Sequence, residues 1–249
     1  MRFSRIFVRL FCICILLLSC ENETADQQSL PDENTSDGLN KIMPLGASRV
    51  QGLTPWFESY RYPLWKSLVD AGWDFDFIGS EKETGSFPAY KGVAFDRDHQ
   101  GHIGWTSGQI LDNLPSALSE VSTPDIVLFS SPGGNDILDG LPYKNVIENI
   151  NGIIDLFQDR NPDIVILIEQ LAPGKTSFMT PELTAIFDQA VLDVETIAQE
   201  QTDENSQVIP VNMFEGFADR YLADDIHYNA EGAEFIAQRY YEVLQTVVE

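Results

Sequence analysis

Residues 125–136, with the sequence DIVLFSSPGGND, combine a continuous apolar run with a glycine-rich loop. A run such as 125–129 is expected of a parallel strand that is covered on both faces. A second run, DIVILI, occupies residues 163–168, and residues 143–160 between the two runs have the apolar spacing of a helix. The stretch therefore predicts a β-α-β unit whose first strand ends in a glycine-rich turn.

The same alternation of strands and helices extends over the rest of the chain. Further strands are predicted at residues 41–45, 73–78 and 208–211. Further helices are predicted at residues 62–71, 107–120, 181–202 and 230–248. This order favours an α/β fold, a three-layer αβα sandwich around a doubly wound, mainly parallel five-stranded sheet. Reacting groups in such sheets lie on loops at the carboxyl ends of the strands.

The first forty residues have the pattern of a leader followed by a tether. Arg2, Arg5 and Arg9 precede an apolar run at 10–18 that is too short to span a bilayer. Residues 17–20 read LLSC and resemble a lipobox, so we expect residues 1–19 to be a lipoprotein signal peptide. Residues 20–40 would then be a lipidated Cys20 and a flexible acidic tether, and residues 41–249 the folded domain. An ordinary signal peptide is the alternative.

The composition limits the partners of the chain. Its formal net charge is −24, which disfavours nucleic acid and anionic lipid headgroups because both bind through Lys and Arg. We therefore expect a membrane contact through the lipid anchor only, in the bacterial cell envelope, at the outer-membrane surface or the periplasmic face. Cys12, Cys14 and Cys20 are the three cysteines, so the domain has no disulfide, thiol nucleophile or Cys-rich zinc site. Nothing in the sequence indicates an oligomeric state.

Four short segments carry residues with catalytic chemistry, and each falls on a predicted loop. They are GAS at 46–48, GHIGWT at 101–106, GGND at 133–136 and DDIH at 224–227. Each one alone also suits an ordinary turn or helix cap. An Asp three residues before a His can bind the imidazole and select its tautomer. An Asn on a glycine loop can donate to a developing oxyanion.

The order and spacing of these segments resemble the SGNH (GDSL-like) hydrolase family over residues 41–249. The resemblance implies that Ser48 is the nucleophile and His227 the general base, with Asp224 orienting the histidine. It also implies an oxyanion hole made by the Ser48 and Gly104 backbone N–H groups and the Asn135 side chain. The implied reaction needs no metal and no organic cofactor.

The sequence departs from the family pattern at the nucleophile. The usual Gly-Asp-Ser-Leu block is Gly-Ala-Ser-Arg here, with Ala47 in place of an acid that helps to hold neighbouring loops in the family. Arg49 adds a cation beside the nucleophile, which would favour an anionic or polar substrate, unless it forms a salt bridge with the acidic surface. Tyr228 also stands where many relatives have proline.

Aromatic residues near these segments suggest a carbohydrate cleft. Residues 59–65, SYRYPLW, look like family members that act on carbohydrate esters. We expect Trp56, Tyr60, Trp105 and Tyr228 to line a sugar-binding cleft because aromatic faces stack on sugar rings. Residues 96–102 contain four side chains with ligand-like spacing, Asp96, Asp98, His99 and His102, but a polar loop is favoured over a metal site.

The sequence thus predicts an extracytoplasmic serine esterase that removes small acyl groups, acetyl in the first place, from carbohydrate. Two alternatives remain open. One is a lipase, lysophospholipase or thioesterase that acts on longer acyl chains, against which the absence of an apolar lid-like insertion counts. The other is a surface glycan-binding lipoprotein without activity, an idea motivated by Ala47.

Overall fold

The computed structural model describes residues 40–247. The strands are β1 (Lys41–Gly46), β2 (Asp76–Phe77), β3 (Glu81–Lys82), β4 (Asp98–Gly101), β5 (Ile126–Phe129), β6 (Val165–Gln170) and β7 (Gln207–Asn212). The helices are α1 (Ser48–Gln51), α2 (Arg61–Ala71), α3 (Ser107–Glu120), α4 (Gly134–Leu138), α5 (Tyr143–Arg160), α6 (Pro181–Gln201) and α7 (Ala230–Val247), with a 3₁₀ helix at Asp219–Tyr221. The predicted signal peptide at 1–19, Cys20 and the tether up to residue 39 lie outside the described residues.

The strands form a mainly parallel sheet in which β1, β5, β6 and β7 are neighbours in that order. The other side of β1 pairs in parallel with β2 at its start and with β4 at its end. Strand β3 adds an antiparallel edge to β4. The parallel part therefore has five strand positions, one of which is filled by two short segments, and the predicted α/β fold class is confirmed.

Side chains of the sheet alternate between two hydrophobic cores, one on each face. Ile42 and Ile126 are buried together with residues of α2 and α7. Their chain neighbours Met43 and Val127 are buried with residues of α3, α5 and α6. Helices thus cover both faces, which explains why the central strands are apolar throughout and do not alternate with polar residues.

Beside β1 the structure differs from the prediction. Residues 73–78 were predicted as one strand, but only Asp76–Phe77 pairs with β1. Strand β4 was not predicted, because its sequence, DHQG, has no apolar pattern, and it replaces β2 as the partner of Leu45 and Gly46. None of the helices between residues 40 and 247 combines the length and the apolar character needed to cross a bilayer.

A buried ion pair holds the short helix α1 against its surroundings. The Arg61 side chain is 1% exposed and donates to the Val50 carbonyl at 2.7 Å and the Gln51 carbonyl at 2.9 Å. Its Nη2 also lies 2.7 Å from Glu83 Oε2. These contacts satisfy carbonyls at the end of the helix that begins at Ser48.

We expect Glu83→Ala to lower the free energy of unfolding by about 3–5 kcal/mol, because it leaves the Arg61 guanidinium buried without its counter-charge. The matched control is Glu148→Ala, since Glu148 pairs with Lys144 at the surface, where the side chains are 60% and 84% exposed. That control should change the free energy by less than about 0.5 kcal/mol. Urea unfolding followed by circular dichroism measures both, and equal effects would contradict this account.

Candidate active site

The four predicted loop segments meet at the carboxyl edge of the sheet. Ser48 is the first residue of α1, directly after β1, and His227 precedes α7. At Gly46 the chain passes close to the end of β5, where an added Cβ would lie 2.7 Å from the Ser130 carbonyl oxygen. The His102 N–H donates to the Gly46 carbonyl at 3.1 Å, which joins the loop after β4 to the turn before Ser48.

Ser48, His227 and Asp224 form one hydrogen-bonded line. His227 Nε2 lies 2.9 Å from Ser48 Oγ, and His227 Nδ1 lies 2.8 Å from Asp224 Oδ2. Asp224 Oδ1 accepts the backbone N–H groups of Ile226 and His227 at 2.9 and 2.7 Å. Partial burial opposes ionisation of Asp224, but these N–H groups and the imidazole hold its pKa below the ordinary value. A carboxylate at Nδ1 leaves Nε2 free to accept a proton from Ser48.

Phe57 covers one face of the histidine. Its ring stacks on the imidazole of His227 with the centroids 4.0 Å apart and the planes 14° apart. Phe57 is 8% exposed, whereas the Asp224 side chain is 52% exposed. Stacking on the ring face therefore restricts the rotation of the base, in addition to the hydrogen bond from the ring edge to the partly exposed Asp224. Phe57 lies in an irregular loop, and no periodicity in the sequence marked it.

Asn135, at the start of α4, and the loop that contains Gly104 are joined by a hydrogen bond. Asn135 Nδ2 donates to the Trp105 carbonyl at 2.7 Å. An amide group has two N–H donors, and this bond uses one of them. Gly104, with a φ of +79°, precedes Trp105. The bond therefore fixes the amide of Asn135 beside the turn that contains Gly104.

The side chain of Asp136 makes a second connection between the same two segments. It is 2% exposed, and its carboxylate accepts the Ser107 N–H and the Ser107 hydroxyl, each at 2.7 Å. Because Ser107 begins α3 and Asp136 belongs to α4, this carboxylate ties the start of one helix to the other. The prediction named Asn135 alone, although the adjacent Asp136 in the same GGND segment was the available signal.

An open aromatic surface surrounds these groups. Trp56, in the loop next to Phe57, is 73% exposed. Trp105 is half-buried and stacks on His102 with the ring centroids 3.6 Å apart and the planes 11° apart. Burial lowers the pKa of His102, which favours a neutral ring at neutral pH. Trp56 and Trp105 are thus the two predicted cleft aromatics that remain accessible.

Three predicted substrate contacts are wrong because the side chains are buried. Tyr60 and Tyr228 are 0% exposed and belong to the core between the sheet, α2 and α7. Arg49 is 9% exposed, and its guanidinium donates to the carbonyls of Ile226 and Ala172. Arg49 is therefore not a free cation beside the nucleophile, and it contacts main-chain oxygens instead of the acidic surface.

The polar residues at 96–102 have separate structural contacts. Asp96 accepts the Phe77 N–H at 2.6 Å, and burial raises its pKa to about 7. His99 is 1% exposed, and its Nδ1 accepts the Gly101 N–H at 3.0 Å. Within residues 40–247 no group of three or more His, Cys, Asp or Glu side chains is arranged to hold a metal ion.

A separate cavity of about 850 Å³ lies beside the loop after β6. Its walls are mainly apolar and include Leu171, Met179, Phe187, Phe214 and Phe217. Among the described residues that line it, none is Ser48, Asn135 or His227. The loop that borders the cavity contacts the histidine loop, because the Lys175 N–H donates to the Asp225 carbonyl at 2.8 Å.

The chain is similar to known ester hydrolases. The model of the GDSL-like lipase/acylhydrolase family matches residues 67–235, a range that contains Gly104, Asn135, Asp224 and His227 and begins after Ser48. A carbohydrate esterase family 3 structure from Talaromyces cellulolyticus is 26% identical, with a TM-score of 0.72 over 84% of this chain and 98% of that chain. No curated protein matches the chain.

Two further solved structures are similar to this chain. A family 3 carbohydrate esterase from Clostridium thermocellum is 26% identical, with a TM-score of 0.65 over 84% of this chain and 99% of that chain. An acetyl esterase mutant with an acetate ion is 25% identical, with a TM-score of 0.71 over 84% and 98% of the two chains. Since the family model covers more than half of the sequence, this chain belongs to the GDSL-like lipase/acylhydrolase family and is a carboxylic ester hydrolase.

Proposed function

We propose that the protein is an extracytoplasmic serine esterase that removes small acyl groups, acetyl in the first place, from carbohydrate. The observation that carries this proposal is the hydrogen-bonded line Ser48–His227–Asp224. The accessible Trp56 is the chain neighbour of Phe57, which stacks on His227. The similarity to two family 3 carbohydrate esterases and to an acetyl esterase supports the substrate class.

In the proposed reaction Ser48 Oγ attacks the ester carbonyl carbon while its proton passes to His227 Nε2. The carbonyl oxygen becomes an oxyanion, and collapse of the tetrahedral intermediate breaks the bond to the alcohol oxygen. The departing alkoxide takes the proton from Nε2 and leaves an acyl-Ser48. Water then transfers a proton to His227 Nε2 and attacks the acyl carbon. Collapse of this second intermediate breaks the bond to Ser48 Oγ, which takes the proton back from Nε2, so the acid is released and both side chains are restored.

The oxyanion would be bound by the backbone N–H groups of Ser48 and Gly104 and by the remaining N–H of Asn135. Donors of this kind lower the barrier because they face the charge that develops in the transition state. The bond from Asn135 to the Trp105 carbonyl supports this role, since it orients the amide before the substrate binds. No step in the reaction requires a metal or an organic cofactor.

Trp56 is the proposed platform for the sugar. An exposed indole offers an apolar face to the C–H groups of a sugar ring while the hydroxyl groups remain in water. Phe57, its chain neighbour, stacks on the imidazole of His227. A sugar that stacks on Trp56 would therefore lie beside the catalytic base, where a neutral substrate also avoids repulsion from the acidic surface.

A second candidate is hydrolysis of longer acyl esters. The apolar cavity beside the loop after β6 favours it, because an acyl chain needs an apolar channel. Against it stands the absence of Ser48 and His227 from the residues that line the cavity. A non-catalytic glycan-binding role would not explain the hydrogen bond between Ser48 Oγ and His227 Nε2.

We expect the whole chain, purified in mild detergent, to hydrolyse p-nitrophenyl acetate faster than the butyrate, octanoate and palmitate esters. Ser48→Ala should abolish turnover, because within residues 40–247 the hydroxyl aligned with His227 Nε2 is that of Ser48, and circular dichroism checks that the variant is folded. A preference for octanoate or palmitate would favour the second candidate. A folded wild-type chain that turns over none of these esters or acetylated xylo-oligosaccharide would contradict the proposed esterase.

The role of Trp56 is tested with an acetylated oligosaccharide. We expect Trp56→Ala to raise KM for acetylated xylo-oligosaccharide about 5- to 10-fold, the loss of one stacking contact. Its kcat/KM for p-nitrophenyl acetate should change less than about twofold. Val93→Ala is the control, since Val93 is also exposed, at 48%, but lies in the turn before β4. Equal losses of activity on both substrates would contradict the proposed stacking of the sugar on Trp56.

The proposed location depends on Cys20. We expect the wild-type chain to enter the membrane fraction of a bacterial host and Cys20→Ser to leave it, because the thiol is the proposed attachment point for lipid. Mass spectrometry of the N-terminal peptide checks the modification. Recovery of an unmodified Cys20 from the membrane fraction, or of both chains in the soluble fraction, would rule out the lipid anchor.

A further inference from the structure

Ser131 lies in the turn between β5 and α4, the helix that contains Asn135, and its backbone is strained. Its φ is +47°, in the left-handed region that a non-glycine residue seldom adopts. The Ser131 carbonyl accepts the Gly134 N–H at 3.0 Å, so the turn passes directly into α4. A strained residue persists only where its surroundings hold it.

Glu169, at the end of β6, holds Ser131. Its Oε2 accepts the Ser131 N–H at 2.7 Å and the Ser131 hydroxyl at 3.2 Å. Glu169 is 0% exposed, and a buried carboxylate is costly unless hydrogen bonds and opposite charge compensate it. Burial raises its pKa, while the Ser131 N–H and the charge of Arg49 act in the opposite direction.

The environment of Glu169 is rich in hydroxyl groups. Ser130 and Tyr240 interact with it closely enough to oppose the rise of its pKa. Even so, five buried polar atoms around this carboxylate have no well-aligned hydrogen-bond partner among the described residues. They are Glu169 Oε1 and the hydroxyl oxygens of Ser130, Tyr60, Tyr228 and Tyr240. Glu169 Oε2 is the oxygen that accepts from Ser131, and the Ser130 and Tyr240 hydroxyls lie close to the same carboxylate.

Arg49 joins the same turn to the histidine loop. Its Nη1 lies 3.4 Å from the Ser131 hydroxyl, and Nε and Nη2 donate to the Ile226 carbonyl at 3.0 and 2.7 Å. Ile226 immediately precedes His227, and Arg49 immediately follows Ser48. The guanidinium also lies 4.6 Å from the centre of the Tyr228 ring, which limits its movement.

We propose that Arg49, Ser131 and Glu169 form a hydrogen-bonded bridge that positions the nucleophile Ser48, the base His227 and the oxyanion donor Asn135 relative to one another. Glu169 fixes the turn that leads to Asn135, and Arg49 fixes the carbonyl before His227. The Ser131 hydroxyl connects the two. These residues touch no reacting atom, so they are positioning residues, and the inference rests on the proposed ester hydrolysis at Ser48.

The test uses Glu169→Gln, which keeps the size of the side chain and removes its charge, and Arg49→Met. We expect each variant to lower kcat for p-nitrophenyl acetate about 10- to 100-fold, the effect of a small displacement of catalytic groups. KM should change less than about twofold, because substrate contacts are retained. The double variant should lose no more activity than the more impaired of the two single variants, since the two residues act as one unit.

A second readout does not depend on turnover. The chain has three histidines, so the ¹⁵N signals of the His227 ring can be assigned with one histidine substitution at a time. We expect Glu169→Gln and Arg49→Met to shift these signals, because the imidazole no longer keeps its place between Ser48 and Asp224. Asp125→Asn is the control: Asp125 accepts the Asn40 and Lys41 N–H groups at the opposite edge of the sheet, and it should change neither kcat nor the His227 signals.

The outcomes separate the two proposals. If the wild-type chain hydrolyses no ester but the His227 signals move in both bridge variants, the proposed function fails and the bridge stands. Unchanged signals with an unchanged kcat, or losses of kcat that multiply in the double variant, would overturn the bridge. If Glu169→Gln does not fold, Ser131→Ala removes only the connecting hydroxyl, and it should still lower kcat about 10-fold.

Discussion

The parallel pairing of β1 with β5 is the constraint on which the site depends. Leu45 pairs with Phe129, and the Ser130 N–H donates to the Leu45 carbonyl at 2.9 Å. Both strands therefore end at the same level, and the chain leaves one toward Ser48 and the other toward Asn135. Since β1 and β5 lie in the middle of a sheet with helices on both faces, neither end can shift without disturbing two cores. The sheet therefore restricts the movement of both Ser48 and Asn135.

The elements with a clear apolar pattern could be predicted from the sequence. Helices α3 and α5 begin and end at the predicted residues, and β1, β5 and β6 lie within two residues of the prediction at either end. Strand β4 could not be predicted, because the polar segment DHQG becomes a strand only through its pairing with β1. The same reason limits β2 to two residues. Pairing partners that are distant in sequence decide such short strands, and local periodicity carries no sign of them.

The polar catalytic residues of the candidate site could be predicted from the sequence, whereas the positions of the aromatic and charged residues around them could not. Segment order was enough to select Ser48, Asp224 and His227, which the structure brings into one line across 179 residues. Tyr60 and Tyr228 were misplaced because an aromatic residue in an irregular segment suits a cleft and a core equally well. Arg49 was misplaced because a charged side chain is expected to be solvated, whereas the carbonyls of Ile226 and Ala172 and the Ser131 hydroxyl lie around this guanidinium.

These buried contacts explain how the loops beside the nucleophile are held although position 47 is alanine. In the resembling family an acid at this position helps to hold the neighbouring loops, and here a methyl group stands in its place. The structure puts a cation two residues later, at Arg49, and a carboxylate across the sheet, at Glu169, with Ser131 between them. Loops that one acid would hold from the nucleophile turn are thus held from helix α1, through Arg49, and from strand β6, through Glu169. The solvated Asp224 and the stacked Phe57 complete this arrangement, because the base is then oriented by a carboxylate, an aromatic face and the fixed carbonyl of Ile226, without full burial of the triad.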